Sequence, residues 1–340
     1  MEKLKERIVK CFTPRPHTDL QSEIINIIAA PIYLYTITGV FYHSFFYIMP
    51  YYYDSSSWTL FCQKCFLATI YFEMMSNWLC IHLVDNSLKT QVKHSTFNDR
   101  NNQGATKTDL ESGIVADKHT PTRKGKIGTI PGPVSAPPTP KRRSYWSWHL
   151  CTKCDLNAPP RCHHCPFCDN CVLKRDHHCF FTRRCVGFYN QRHFVVFLVW
   201  AVFGTVYTTA HFIPYLLHVF LVSAWDLFAP FALLRACFGY GDFTTANIMF
   251  IFTFNLLFVM LSSAFLFEQI DLINTGITQF EQKKVDTKRL VISDPRHIND
   301  KVKAVLGHNY ASSFVIPIMH LVYPPHENPF QWPEHKIYKK

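Results

Sequence analysis

Charge is what large parts of this 340-residue sequence lack. Ile24–Met49, Phe194–Val222 and Ala246–Phe267 contain no Asp, Glu, Lys or Arg, and Cys65–Val84 contains one acid, Glu73. Such runs exclude a soluble globular domain over those stretches. They read as membrane spans, because about 20 apolar residues cross a bilayer core. The first run is not expected to be a cleavable leader, being too long and without a small-residue cleavage site.

Basic residues are missing from two connections. Residues 50–57 hold no Lys or Arg and 223–245 hold only Arg235, against five in 1–23, eighteen in 85–192 and ten from 274 onward. The positive-inside rule then predicts both termini and the central segment in the cytosol. Lys64, near the outer end of the second span, can snorkel to the headgroups. Disulfide partners are lacking too. Of thirteen cysteines only Cys237 falls in a lumenal loop, while eight lie between Cys151 and Cys185, on the reducing side. That distribution excludes a disulfide framework and favours metal binding or thiol chemistry.

The outer loop carries Tyr51, Tyr52, Tyr53 and Trp58, interfacial anchors by type. Residues 95–143 read as a disordered basic linker, able to touch anionic lipid but expected as a solvated tether. Tyr145, Trp146 and Trp148 then precede the cysteine-rich block. Pro214 is expected to bend the third span. His43, Glu73, His211, His218 and Asn255 lie within spans and are expected to face the bundle interior. The pair Cys62 and Cys65 has no second ligand pair nearby and reads as chance.

Displacing residues 151–172 by fourteen positions superimposes Cys151 on Cys165, Cys154 on Cys168, His163 on His177, His164 on His178 and Cys171 on Cys185. The repeat yields two equal sets with spacing C-x2-C-x9-H-x6-C: Cys151, Cys154, His164, Cys171, and Cys165, Cys168, His178, Cys185. Three thiolates and an imidazole suit a closed tetrahedral zinc site, and so small a fold needs its metals. Spacing leaves open His163 against His164, and His177 against His178. Cys179 falls where a third set would open, but Thr182 stands where its partner cysteine would be. Cys179 is thus a thiol with no metal assigned. Asp176 replaces the Cys162 of the first copy, and Asp, His and a spare thiol are the parts of an activated nucleophile. Two zinc sites of net charge about −1 would oppose a further thiolate, so a base beside Cys179 is needed. Arg161, Lys174, Arg175, Arg183 and Arg184 offset that field, and suit either a solvated face or a polyphosphate ligand.

The pattern C-x2-C-x9-HC-x2-C-x2-C-x4-DHHC-x5-C, followed by VGFYN, resembles the cysteine-rich domain of the DHHC protein S-acyltransferases (palmitoyltransferases). The resemblance implies an all-α polytopic membrane protein with four transmembrane helices. Between helices 2 and 3 it implies a small cytosolic zinc-binding domain. The expected division is a cytosolic N-terminus at 1–23, spans at 24–84, a linker at 85–144, the zinc domain at 145–192, spans at 193–273 and a cytosolic region at 274–340. It implies that Cys179 takes an acyl group from acyl-CoA as a thioester, with His177 as general base oriented by Asp176. The acyl group then passes to cysteine thiols of substrate proteins. It implies two structural Zn2+ with His164 and His178 as the metal-bound histidines, and an acyl slot among the membrane helices. Arg161 and His163 become candidates for the CoA phosphates.

The sequence departs from the family at three places. Phe180 and Phe181 follow the nucleophile where Pro and Trp are common. Thr278-Gln279-Phe280-Glu281 lacks the second threonine of TTxE. Asn309 only loosely matches the C-terminal motif. Expected partners are acyl-CoA, proteins with juxtamembrane cysteines and the bilayer, with no nucleic acid. The expected location is the endomembrane system, Golgi or ER before plasma membrane. Cys11 and Cys162 are further thiols open to acylation. The alternative class is a membrane-tethered zinc scaffold or adaptor, which has no use for a spare thiol beside Asp176 and His177.

Overall fold

The computed structural model describes residues 20–92, 147–220, 226, 228–288, 290–317, 327–330, 332 and 336–339. Residues 1–19, most of the linker, Tyr145, Trp146 and Cys11 lie outside the described residues. The first charge-poor run forms α1, Leu20–His43, continued by a wide π turn at Ser44–Ile48 and a last helical turn at Met49–Tyr52. Ser57 caps α2, Trp58–Leu83, by accepting the Thr59 N–H at 3.1 Å. After the zinc domain come α3 (Gln191–Tyr215), the short α4 (Ala229–Cys237) and α5 (Phe243–Thr275). Pro214 is the penultimate residue of α3, and the helix widens into a π turn at Leu216–Phe220 directly after it.

The structure is mostly helical. Among the described residues, three helices are long and apolar enough to cross a membrane: Leu20–Tyr52, Gln191–Val219 and Phe243–Thr275. The sequence reading counts four. The helix that falls short is α2, whose 26 residues include Gln63, Lys64, Glu73, Asn77 and His82. It packs with the others nonetheless. Glu73 and Asn77 are buried inside the bundle, and Asn77 Oδ1 meets His193 Nδ1 of α3 at 3.1 Å. Asn255 of α5 likewise donates to Thr209 of α3 at 2.8 Å. His218, by contrast, is exposed.

Three antiparallel hairpins build the cysteine-rich block: β1 (His149–Cys151) with β2 (Leu156–Ala158), β3 (His163–Cys165) with β4 (Asn170–Val172), and β5 (His177–Cys179) with β6 (Arg184–Val186). The sequence repeat is therefore threefold in backbone, each hairpin fourteen residues after the last. Asp155, Asp169 and Arg183 occupy the same turn position, each at φ 50°. That left-handed geometry suits aspartate better than arginine, so its return at Arg183 marks a third copy of one turn.

Asn190 fastens this block to the bundle. Its amide donates to the carbonyls of Ile81 at 3.2 Å and Cys185 at 3.0 Å, and accepts the Gly187 N–H at 2.9 Å. A Cβ on Gly187 would lie 2.7 Å from the Leu173 carbonyl oxygen, so the VGFYN glycine is required by close backbone approach. Beyond α5, Gly276 at φ 75° ends the helix in a left-handed cap, from which α6 (Gln279–Lys288) turns back over the zinc domain. Strand β7 (Leu290–Ser293) pairs with β8 (Lys336–Lys339), and between them α7 (Ile298–Leu306) rests on α3 and α5.

Candidate active site

Successive residues of a strand point to opposite faces, and this separates the two histidine pairs. His164 turns its Nδ1 to Cys154 Sγ at 3.2 Å. His163, next to it, lies against His149 and Phe280 instead. In the third hairpin His178 Nδ1 lies 3.4 Å from Cys168 Sγ and 3.8 Å from the sulfurs of Cys165 and Cys185. His177 faces away, with Nδ1 2.9 Å from Asp176 Oδ2.

The sets Cys151, Cys154, His164, Cys171 and Cys165, Cys168, His178, Cys185 each converge, with all ligand atoms within 4.8 Å of one another. Bonds of about 2.3 Å to sulfur and 2.0 Å to nitrogen around one tetrahedral ion put neighbouring ligands roughly 3.5 Å apart, so these residues fit zinc. The first set joins the turn of hairpin one to the strands of hairpin two, and the second joins hairpin two to hairpin three. Each metal would pin one hairpin to the next, a hold of about 10–16 kcal/mol in comparable small domains. His178 also bonds Asn26 of α1, Nε2 to Oδ1 at 3.1 Å, which leaves Nδ1 for the metal.

Hairpin three has no fourth hairpin to clasp, because α3 begins instead. Cys179 sits at the strand end that Cys151 and Cys165 hold in their hairpins. Thr182 takes the second-cysteine position, fully buried, its hydroxyl donating to the Cys179 carbonyl at 3.4 Å. Cys162, expected as an acylation candidate, is instead fully buried in the small core beside Cys171.

Asp176 is 2 % exposed and is surrounded by donors. Its Oδ1 accepts the Gln279 backbone N–H at 2.6 Å, and its Oδ2 accepts both His177 Nδ1 and Gln269 Nε2, the latter at 2.7 Å. Burial opposes the charge, but His177 and these N–H groups outweigh it and hold the carboxyl below its ordinary range. For His177 burial pulls the pKa down, yet Asp176 and the Cys179 thiol prevail and raise it to about 10. For Cys179 burial pushes the thiol up, and neighbouring His177 more than reverses this. His177 Nε2 is buried and makes no hydrogen bond of ordinary length, while imidazole and thiol are close enough to shift each other.

Two spaces meet at Cys179. One is an apolar cavity running into the helices, lined by Tyr33, Phe181, Phe197, Leu198, Phe258 and Leu261 among others. Phe181 is one of its walls, its carbonyl fixed by Trp78 Nε1 at 3.2 Å. The other is an open cleft bounded by His177, Phe180, Arg175, Phe280 and Lys283.

Arg161 is not at that cleft. It is 1 % exposed, and its guanidinium forks onto Glu281 through two 2.7 Å bonds. It donates a third bond to the Gly276 carbonyl at 3.0 Å, and Trp332 stacks 4.8 Å from it. These bonds commit the arginine to Gly276 and Glu281, on either side of the turn from α5 into α6. Asn309, the loose motif match, is exposed. Gln269, Gln191, Asn26 and the Arg161–Glu281 pair were not signalled by spacing. The nearest sign of Gln269 is that it stands two residues beyond Phe267, where the charge-free run of α5 ends.

Compared with known proteins, residues 145–286 match the sequence model of the family described as DHHC palmitoyltransferase. A Dictyostelium discoideum protein named "Putative ZDHHC-type palmitoyltransferase 4" is 54% identical over 76 residues, covering 22% of this chain and 21% of that protein. Residues 145–286 are thus similar to the DHHC palmitoyltransferase family, and the aligned stretch spans about a fifth of the curated relative.

Proposed function

We propose that the protein transfers a long-chain fatty acyl group, palmitoyl in the first instance, from acyl-CoA to cysteine thiols of substrate proteins through a thioester on Cys179. The observation that carries this reading is the placement of Cys179. It is a thiol outside both metal sets, beside the Asp176–His177 pair, where an apolar cavity meets an open cleft.

In the first step the Cys179 thiolate attacks the thioester carbonyl of acyl-CoA. The new bond is Cys179 S–C, the bond broken is CoA S–C, and the departing CoA thiolate takes the proton held on His177. In the second step a substrate cysteine attacks the acyl-Cys179 carbonyl. His177 accepts its proton, and the Cys179 thiolate is released. Each step exchanges one thioester for another, so little driving force is needed and positioning dominates the barrier. Asp176 fixes the imidazole ring and compensates its charge. The apolar cavity suits the acyl chain. Arg175 and Lys283 on the cleft rim suit the CoA phosphates better than the buried Arg161. The zinc ions, held by the two Cys3His sets, would keep hairpin three rigid.

The chain's four-span topology, with the zinc domain cytosolic and residence in Golgi or ER membranes, belongs to this reading. The topology and orientation rest on the distribution of Lys and Arg and on the packing of α2 within the bundle. The test is transfer in two stages. Purified protein is charged with labelled palmitoyl-CoA, freed of CoA, then mixed with a peptide bearing a juxtamembrane cysteine. Label passing to the peptide without fresh acyl-CoA supports the reading. Transfer that requires acyl-CoA present throughout overturns the thioester on Cys179, and no transfer at all leaves a zinc scaffold.

A further inference from the structure

We infer that Gln269 is a positioning residue for the Asp176–His177 pair, supplying from α5 a side-chain support that position 279 lacks. The inference rests on the transferase reading above.

Gln269, Asp176 and Gln191 are 1, 2 and 3 % exposed. Gln269 Nε2 donates to Asp176 Oδ2 at 2.7 Å, and Gln191 Nε2 donates to Gln269 Oε1 at 3.2 Å. The direction of this chain is forced. A carboxylate only accepts, so the amide end facing it must be the NH2. The other end of Gln269 is then an acceptor, and buried it needs a donor. Gln191, at the first turn of α3, provides that donor. One arrangement of two amides is therefore selected.

The consequence falls on the carboxylate. Asp176 is held at Oδ1 by a backbone N–H from α6 and at Oδ2 by Gln269, and His177 shares Oδ2. Its own backbone carbonyl also accepts the Phe280 N–H at 3.1 Å. Without Gln269 the carboxylate keeps one fixed point and can swing about its χ2 axis, carrying the imidazole off the thiol. The hydrogen bonds of the Gln269 side chain run to Asp176 and Gln191, so its effect on Cys179 should pass through Asp176.

That requirement makes a double-mutant cycle decisive. Full-length protein in detergent is compared as wild type, Gln269→Leu, Asp176→Asn and the double variant. Two rates at Cys179 are followed: acylation by palmitoyl-CoA, and alkylation by iodoacetamide read by peptide mass spectrometry. Zinc content reports folding. The expected result is an acylation rate about tenfold lower or more in Gln269→Leu, the scale of one hydrogen bond to a charged group, with KM for acyl-CoA unchanged. In the Asp176→Asn background the same change should cost less than about twofold in either rate. Gln191→Leu should reproduce the loss, and its combination with Gln269→Leu should add nothing; this second pair decides if Gln269→Leu loses zinc. Additive losses, a loss carried by KM, or a wild-type rate in Gln269→Leu overturns the inference. Wild type that fails to acylate defeats the transferase reading instead, and the alkylation cycle still judges the relay.

Discussion

The Asp176 carboxylate accepts its 2.6 Å hydrogen bond from the Gln279 backbone, not from the side chain that a threonine there would offer. Gln279 is also the first residue of α6, a position where proline is well tolerated because its N–H has no helical partner. Gln279→Pro therefore deletes the donor with little disturbance of the helix. The expected result is Cys179 acylation reduced about tenfold or more, while Gln279→Ala stays within about threefold of wild type. Equal losses in the two variants would assign the effect to the Gln279 side chain and its 2.7 Å bond to Glu268.

The Arg161–Glu281 pair makes a prediction about stability that separates it from a ligand contact. Removing one partner of a buried pair leaves an uncompensated charge and costs about 3–5 kcal/mol. Arg161→Ala should lower the thermal transition of the detergent-solubilised protein strongly. Arg161→Met combined with Glu281→Leu should recover most of it. A normal transition with a raised KM for acyl-CoA would instead restore the phosphate role expected from sequence.

Lys174 gives a pH dependence. Burial, with Arg161 nearby, lowers its pKa from 10.5 to about 8, against the pull of Glu327, Glu281 and Asp176. Between pH 8 and 10.5 the unfolded chain binds more proton than the folded one, so this group makes stability rise with pH across that window. Below pH 8 the folded protein carries the full penalty, about 3 kcal/mol. Lys174→Met should raise the thermal transition at pH 7 and flatten the rise above pH 8, followed by circular dichroism melts. A variant less stable than wild type at pH 7 would show that the cation is worth more against Trp332, 5.8 Å away, than it costs.

Asn26 ties α1 to the second metal set through His178 Nε2 at 3.1 Å. Partners of metal-bound histidines are worth about 10–100-fold in metal affinity. Asn26→Leu should release one zinc of two to a competing chelator at correspondingly lower chelator concentration, while the other is retained. Simultaneous loss of both ions would mean that the hairpins fold as one unit with no separate second site.

The cysteine-rich block was legible because its information is local. Ligand spacing repeats every fourteen residues, and Thr182 at a ligand position isolates Cys179 without any knowledge of the fold. Strand alternation in β3 and β5, visible only once the hairpins are paired, is what separates His164 from His163 and His178 from His177. The helices were legible as charge gaps, although α2 is polar enough that, among the described residues, three helices are long and apolar enough to cross a membrane. What spacing could not yield are contacts across long sequence separation. Arg161 meets Glu281 120 residues away, and Gln269 meets Asp176 across 93. A buried arginine among basic neighbours looks like a solvated or phosphate-facing one until its partner is seen.

The account turns on Cys179, and one mass measurement addresses it directly. Purified protein exposed to palmitoyl-CoA should gain a single palmitoyl increment, mapped to the peptide containing Cys179 and removed by neutral hydroxylamine. Cys179→Ser should retain two zinc ions and gain nothing. An increment that persists in Cys179→Ser, or that maps to Cys162 or to a cysteine of either metal set, would contradict it.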